Sequence, residues 1–299
     1  MQHLLNVKHF AIFYALFCAR LLAVEPLPAK DWVLVADTQY RASDQVRDAG
    51  GLSGEYGRSR TGVELIYQTP DRAVDLEWYR YANRFQGAIA GTDRSYGDTT
   101  DVMVTGFRQW DWNQKYGVQL IYALEFAAEE GVSLGSSHRW GLGGAMRWRP
   151  DDETDLSLGI VLQDRFEASV MPIPYVKAVW RPSSSAEVEL RATGLQNGII
   201  IRGFPTEDRA TIIDFSVAYE TLSFALTDGS YGSRAVAIGE VPVRFGVTQF
   251  LEKTGTWFVR GSAEWVVFAR HSFKHDGETQ GAFQPGAQWG LALRLGARF

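Results

Sequence analysis

The chain has 299 residues, 45% of them hydrophobic and 22% charged, and a formal net charge of −5. That acidic balance excludes a nucleic-acid binder built on a basic surface, and a single cysteine excludes a disulfide framework. Thirty glycines, ten tryptophans, twelve tyrosines and seventeen phenylalanines beside only four methionines favour strands and turns over apolar helices.

Residues 1–23 read as a secretory signal. Lys8 precedes an apolar run from Phe10 to Ala19, too short to span a bilayer, and Arg20 closes it. Cleavage is expected within 19–29, after Ala23 or Ala29. Cys18 follows the bulky Phe17, which argues against lipidation. Without this segment the net charge is −7, with three histidines and no cysteine left. The remainder, 30–299, is read as one domain with no run of about 18 apolar residues.

From residue 31 on, apolar residues recur at every second position. In 116–126, Tyr116, Val118, Leu120, Tyr122, Leu124 and Phe126 share one face, opposite Gly117, Gln119, Ala123 and Glu125. The same holds for Trp140 to Trp148, for Leu156 to Leu162, around 241–248, and for 257–265. No stretch shows a 3.6-residue period. The pattern predicts strands at 31–41, 60–68, 73–84, 101–112, 116–127, 137–148, 155–165, 173–181, 186–194, 198–203, 210–225, 236–250, 256–270 and 287–299. That is fourteen strands, with twelve as the alternative count, both even because the two termini are expected on the same side.

The connections alternate between short and long. RWRPDDETDLSL (147–158) and VWRPSSSAEVEL (179–190) share Trp-Arg-Pro and a polar run, and YQTPDRAVDLEW (67–78) is a looser copy. Proline presets the turn and Asp or Ser bonds the nearby backbone, so these mark tight hairpins. Long polar loops are expected at 43–59, 86–100, 128–136, 227–235 and 271–286.

Such strands fit an all-β, antiparallel up-and-down transmembrane β-barrel, with apolar residues towards lipid and small or charged ones inside. A secreted β-sandwich is the competing architecture. Tyr67, Trp78, Trp112, Tyr116, Trp140, Trp148, Trp180, Trp257 and Trp289 fall at strand ends, as interfacial girdles require. The last strand, AQWGLALRLGARF, keeps Leu291, Leu293, Leu295 and Phe299 on one face and ends on that phenylalanine. In this it resembles bacterial outer-membrane proteins. The resemblance implies that these four residues form the signal read by the barrel-assembly machinery, and that the last strand closes against the first. MPIPYVKAVWRPSSSAEVELR (171–191) resembles a segment of an uncharacterised family of predicted outer-membrane barrels, which implies a fold and no activity.

By alternation Glu125, Arg139, Arg147, Arg165, Glu187, Glu189, Arg191, Arg244, Arg260, Glu264 and Arg294 point inward. Hydrated, they would line a solute path. Paired, they would fill the lumen. Gly117, Ala123, Gly141, Gly143, Ala145, Gly159 and Gly246 leave room beside them. No catalytic constellation stands out: His271 and Ser272 are adjacent and face opposite sides, unlike the spacing in barrel lipid deacylases. His271 and His275 with Asp276 and Glu278 read as solvated loop, so no metal and no cofactor are expected. The reading is an outer-membrane barrel in contact with lipid, passing small polar solutes passively. A plugged structural or ligand-binding barrel is the second hypothesis, and a lipid-modifying enzyme the third. Oligomeric state is left open.

Overall fold

The structure is a computed structural model and describes residues 32–48, 51–92, 95–133, 137–165, 168–193, 196–227, 235–252, 255–275 and 278–299. The expected signal segment, 1–23, and residues 30–31 lie outside these. The strands are β1 (Trp32–Asp48), β2 (Ser53–Thr69), β3 (Arg72–Gly87), β4 (Thr99–Asp111), β5 (Tyr116–Glu129), β6 (His138–Trp148), β7 (Thr154–Arg165) and β8 (Ala168–Ser183). They continue as β9 (Ala186–Ala192), β10 (Gln196–Gly203), β11 (Thr211–Ala225), β12 (Ala235–Phe250), β13 (Trp257–His275), β14 (Glu278–Pro285) and β15 (Gln288–Arg298).

From β1 to β14 each strand pairs antiparallel with its sequence neighbour, β15 pairs with β13, and β1 pairs back onto β14 and β15. β14 and β15 are two halves of one stave. β1 runs against β15 from Val33 to Ala42, then against β14 from Val46 to Asp48. Gly286 sits in the break and donates its N–H to the Gln45 carbonyl at 2.6 Å. The sheet is thus a closed fourteen-stranded barrel. At the seam Trp32 and Phe299 exchange backbone hydrogen bonds of 3.1 and 3.0 Å, so the last strand closes against the first.

The alternation of the sequence becomes two surfaces. Leu34, Leu120, Leu142, Leu158, Ile199 and Leu295 project outward and are exposed, while their neighbours along each strand point inward. Trp32, Trp112, Tyr116, Trp148, Trp180 and Trp257 ring the end that carries the tight turns and the termini. Tyr40, Trp140, Tyr219, Trp265 and Trp289 lie further along the same outer face, the last two stacked at 5.3 Å. Trp148 and Trp140 are eight residues apart on one strand, about 26 Å at roughly 3.3 Å per residue, the height of an apolar belt. The tight turns form as their chemistry dictates. Asp151 accepts hydrogen bonds from the N–H groups of Glu153 (3.0 Å) and Thr154 (2.8 Å).

Three features depart from the pattern. Most of the expected long loops 43–59 and 271–286 is strand, because β1, β2, β13 and β14 run on past the belt. There the alternation reverses, and Val46, Tyr56, Phe273 and Phe283 bury large side chains inside the barrel. Second, β9 is seven residues where 186–194 was expected, and β10 is eight where 198–203 was expected. Third, β11 leaves β10 after Glu220 and meets β5 in a parallel bridge, Ala225 opposite Ala128. Ser223 and Ala225 face outward by alternation yet are buried, so this end of β11 bends into the barrel.

Candidate functional site

The lumen is the candidate site, and its two sides differ. On the side of β1, β2, β12 and β13 the inward charges join into a belt. Arg41 binds Glu240 at 2.5 Å and Glu264 at 2.9 Å, and Arg58 binds the same Glu240 at 2.9 Å. Glu264 also takes Arg244, which forms a two-point pair with Glu220 on β11, at 2.6 Å for one bond. Below this, Asp37 accepts from Arg60 (2.8 Å) and Arg294 (2.6 Å), and Arg260 reaches Asp214 at 2.8 Å. Arg41, Arg58, Glu240 and Glu264 are at most 4% exposed. Planar guanidinium forks suit such two-point pairing, and buried carboxylates need it. Gly246 leaves the space that the Arg260 guanidinium occupies.

Above the belt, at the end away from the termini, an aromatic and aliphatic cluster fills the mouth. It comprises Val46, Tyr56, Tyr81, Phe224, Ile238, Phe273 and Phe283 with their neighbours. Ile89 and Tyr96, from the β3–β4 connection, dip into it and are buried. The Tyr96 hydroxyl lies 2.8 Å from Nδ1 of His271, whose ring stacks on Phe283 at 4.4 Å. Burial pushes the Tyr96 phenol well above its ordinary range, so it stays protonated. His271 is therefore a packed core residue, and the loop reading of it is corrected. Ser272, next to it, is not brought into contact with it by any described bond.

The other side, β7 to β10, is more open. Glu187 and Glu189 are held by Arg181 (3.0 Å), Arg191 (2.6 Å) and Arg202 (2.6 and 2.8 Å). The side chains of Arg181, Lys177 and Arg191 nevertheless keep 43%, 40% and 33% of their surface in solvent. Apolar inward residues Ile173, Tyr175 and Ile200 stand beside them, half-buried.

All the sequence candidates whose side chains are described point inward. Glu125 pairs with Arg139 across adjacent strands, and Arg147 with Asp155 at 2.8 Å. Arg165 ends β7, and its side chain lies outside the described part. The room expected at Gly143 and Gly159 is taken by Val161 and Ala145. Alternation within the inner halves of the strands located these charges. It missed Arg41, Arg58 and Glu240, because the first two lie at or beyond the predicted ends of their strands and the third follows inward Val236 and Ile238. It also missed three carboxylates, Glu64, Asp75 and Glu77, which gather within 4.8 Å of one another at the narrow-turn end. Arg294 stands 3.6 Å from Glu64, so this group extends the ion-pair belt. Leu291, Leu295 and Phe299 are exposed on the outer face and Leu293 is half-buried.

No family model matches the sequence, and no curated protein matches it. Solved outer-membrane barrels are similar in build. An outer membrane channel from Pseudomonas putida F1 is 11% identical, with 94% of this chain and 100% of that one covered and a TM-score of 0.44. A Pseudomonas aeruginosa FadL homologue is 10% identical over 90% of each chain, TM-score 0.44. The Pseudomonas putida toluene transporter TodX is 8% identical over 91% and 90%, TM-score 0.42. At these values the likeness says nothing of what passes through this chain.

Proposed function

We propose that the chain is a bacterial outer-membrane barrel that passes small solutes passively, along the β7–β10 side of its lumen. The observation that carries this is the exposure of Lys177, Arg181 and Arg191 on the inner wall, set against the closed belt opposite. Charges that keep water mark the part of a lumen an ion can enter. The exposed apolar belt with its aromatic ends makes lipid the outer partner. A plugged barrel is the second reading, favoured by the aromatic cluster in the mouth.

Planar-bilayer recordings of refolded protein separate them. Stepwise conductance is expected, and Lys177→Glu with Arg191→Glu should shift its preference towards cations, because both reverse the sign of hydrated wall charges. A silent wild-type barrel would establish the plugged reading. The insertion role of Leu291, Leu293, Leu295 and Phe299 belongs to the same proposal, as does the secretory role of residues 1–23.

A further inference from the structure

The inner wall of β2 to β4 carries more negative charge than its neighbours neutralise. Glu64 and Glu77 are directly opposed across the β2–β3 ladder, and Asp75 lies two residues before Glu77 on the same inward face. One carboxylate oxygen from each of the three lies within 4.8 Å of the others. The nearby arginines are committed elsewhere. Arg60 and Arg294 both bind Asp37, at 2.8 and 2.6 Å, and Arg139 pairs with Glu125. Arg294 comes no nearer to Glu64 than 3.6 Å. An independent sign lies one strand over. Asp101 on β4 is 5% exposed, and its Oδ1 has no hydrogen-bond partner among the described residues. It faces the interior diagonal to Glu77, since Tyr79 stands opposite Asp101 and Glu77 opposite Met103, and the charge of Glu77 acts on it. Oδ1 of Asp75 is likewise shut off from solvent and unpartnered. A buried carboxylate oxygen without a donor bears its full desolvation cost, so such oxygens mark the place of a bound ion or water.

From this geometry we infer that the lumen wall holds a calcium site, with Glu64, Asp75 and Glu77 as direct ligands and Asp101 bonded through an ion-bound water. The donor set is all carboxylate, which selects a hard cation and not zinc or copper. Calcium sits about 2.3–2.6 Å from its oxygens, so ligand atoms on opposite sides of it stand up to about 5 Å apart. The spread of the three carboxylates fits that span. Magnesium, at about 2.0–2.1 Å, needs a tighter and strictly octahedral set, which three side chains fixed on two strands do not supply. Glu64 is 9% exposed, while Asp75 and Glu77 are half-buried and leave one side open to the lumen for the ion and its waters. Diagonal side chains start about 7–8 Å apart, a gap that the Asp101 carboxylate and one water bridge. The bound ion ties β2 to β3 and offsets charge that the arginines leave uncompensated.

The test uses the full chain refolded in an uncharged detergent, with calcium chloride as the probe. Calcium at about millimolar concentration, the range of extracellular calcium modules, should raise the urea midpoint of the wild type. Terbium, a luminescent substitute for calcium, should bind stoichiometrically and be displaced by calcium. Glu77→Gln should abolish the midpoint shift and weaken terbium binding by at least the roughly tenfold that loss of an outer partner costs. Without calcium this variant should be no less stable than wild type, because it removes one of three crowded like charges. Glu130→Gln, whose side chain is 80% exposed just past β5, should keep the full response. A wild-type midpoint indifferent to calcium, a shift that survives Glu77→Gln, or an equal shift with magnesium chloride overturns the site. Conductance enters none of these outcomes, so the channel reading stands or falls separately.

Discussion

Glu240 holds Arg41 and Arg58 in a part of the lumen where none of the three is more than 4% exposed. Each charge is tolerable there only because the others are present. Removing one partner of a buried pair strands the rest and typically costs about 3–5 kcal/mol. Glu240→Gln is therefore expected to lower the urea midpoint of the refolded barrel by that order, since it leaves Arg58 facing a neutral acceptor and Arg41 with Glu264 as its remaining carboxylate. Glu187→Gln is the comparison. Its partners Arg181 and Arg202 keep 43% and 25% of their side-chain surface in solvent, and water replaces the lost bond, so the cost should stay within about 1 kcal/mol. Equal midpoint shifts would show that the belt is hydrated and that its burial does not decide its energetics.

At the scale of the strand, Leu158 and Ser157 are neighbours with opposite fates, 59% and 3% exposed. Leu158→Arg places a charge in the apolar belt and should cost about 2–4 kcal/mol near its middle. Lys177→Ser, on the inward position paired with Ser157, should cost far less. Urea titration in lipid vesicles checks both. The closing stave carries a second prediction. Phe299 is 60% exposed beside the Trp32 seam, so Phe299→Asp should reduce outer-membrane yield while export to the periplasm continues. Cell fractionation reads it out, and normal membrane levels would remove the insertion role from this residue. These elements were legible because one rule governs the stretch between their aromatic ends: lipid demands apolar side chains outside, and parity does the rest. The rule stops where lipid stops. Beyond the belt the barrel encloses its own apolar cluster, so Tyr56, Phe273 and Phe283 turn inward and the polar residues face water. Gly-, Ser- and Asp-rich segments such as 43–59 then read as loop although they pair as strand. The unequal reach of neighbouring strands was invisible for another reason. Nothing in the sequence of β9 and β10 says that their neighbours outrun them, and only the register shows β8 and β11 left unpaired above.

At the scale of the whole molecule, the aromatic cluster and the ion-pair belt lie one after the other along the barrel axis. Two barriers in series behave differently from one. If either alone closed the axis, weakening it would open a pore. With both in place, loss of the outer layer should leave the inner one shut, and on the proposed channel reading current should continue to follow the β7–β10 wall. Phe283 is the place to test this. It is 1% exposed and touches His271, Phe85, Tyr56 and Phe273, so Phe283→Ala leaves a cavity and should cost about 3–5 kcal/mol. Single-channel conductance should nevertheless match wild type, because Arg41, Glu240, Glu264 and Arg244 still close the β1, β2, β12 and β13 side of the lumen beneath. A higher conductance in Phe283→Ala, with the belt intact, would show that the cluster alone seals the axis and that the charges below it are passable.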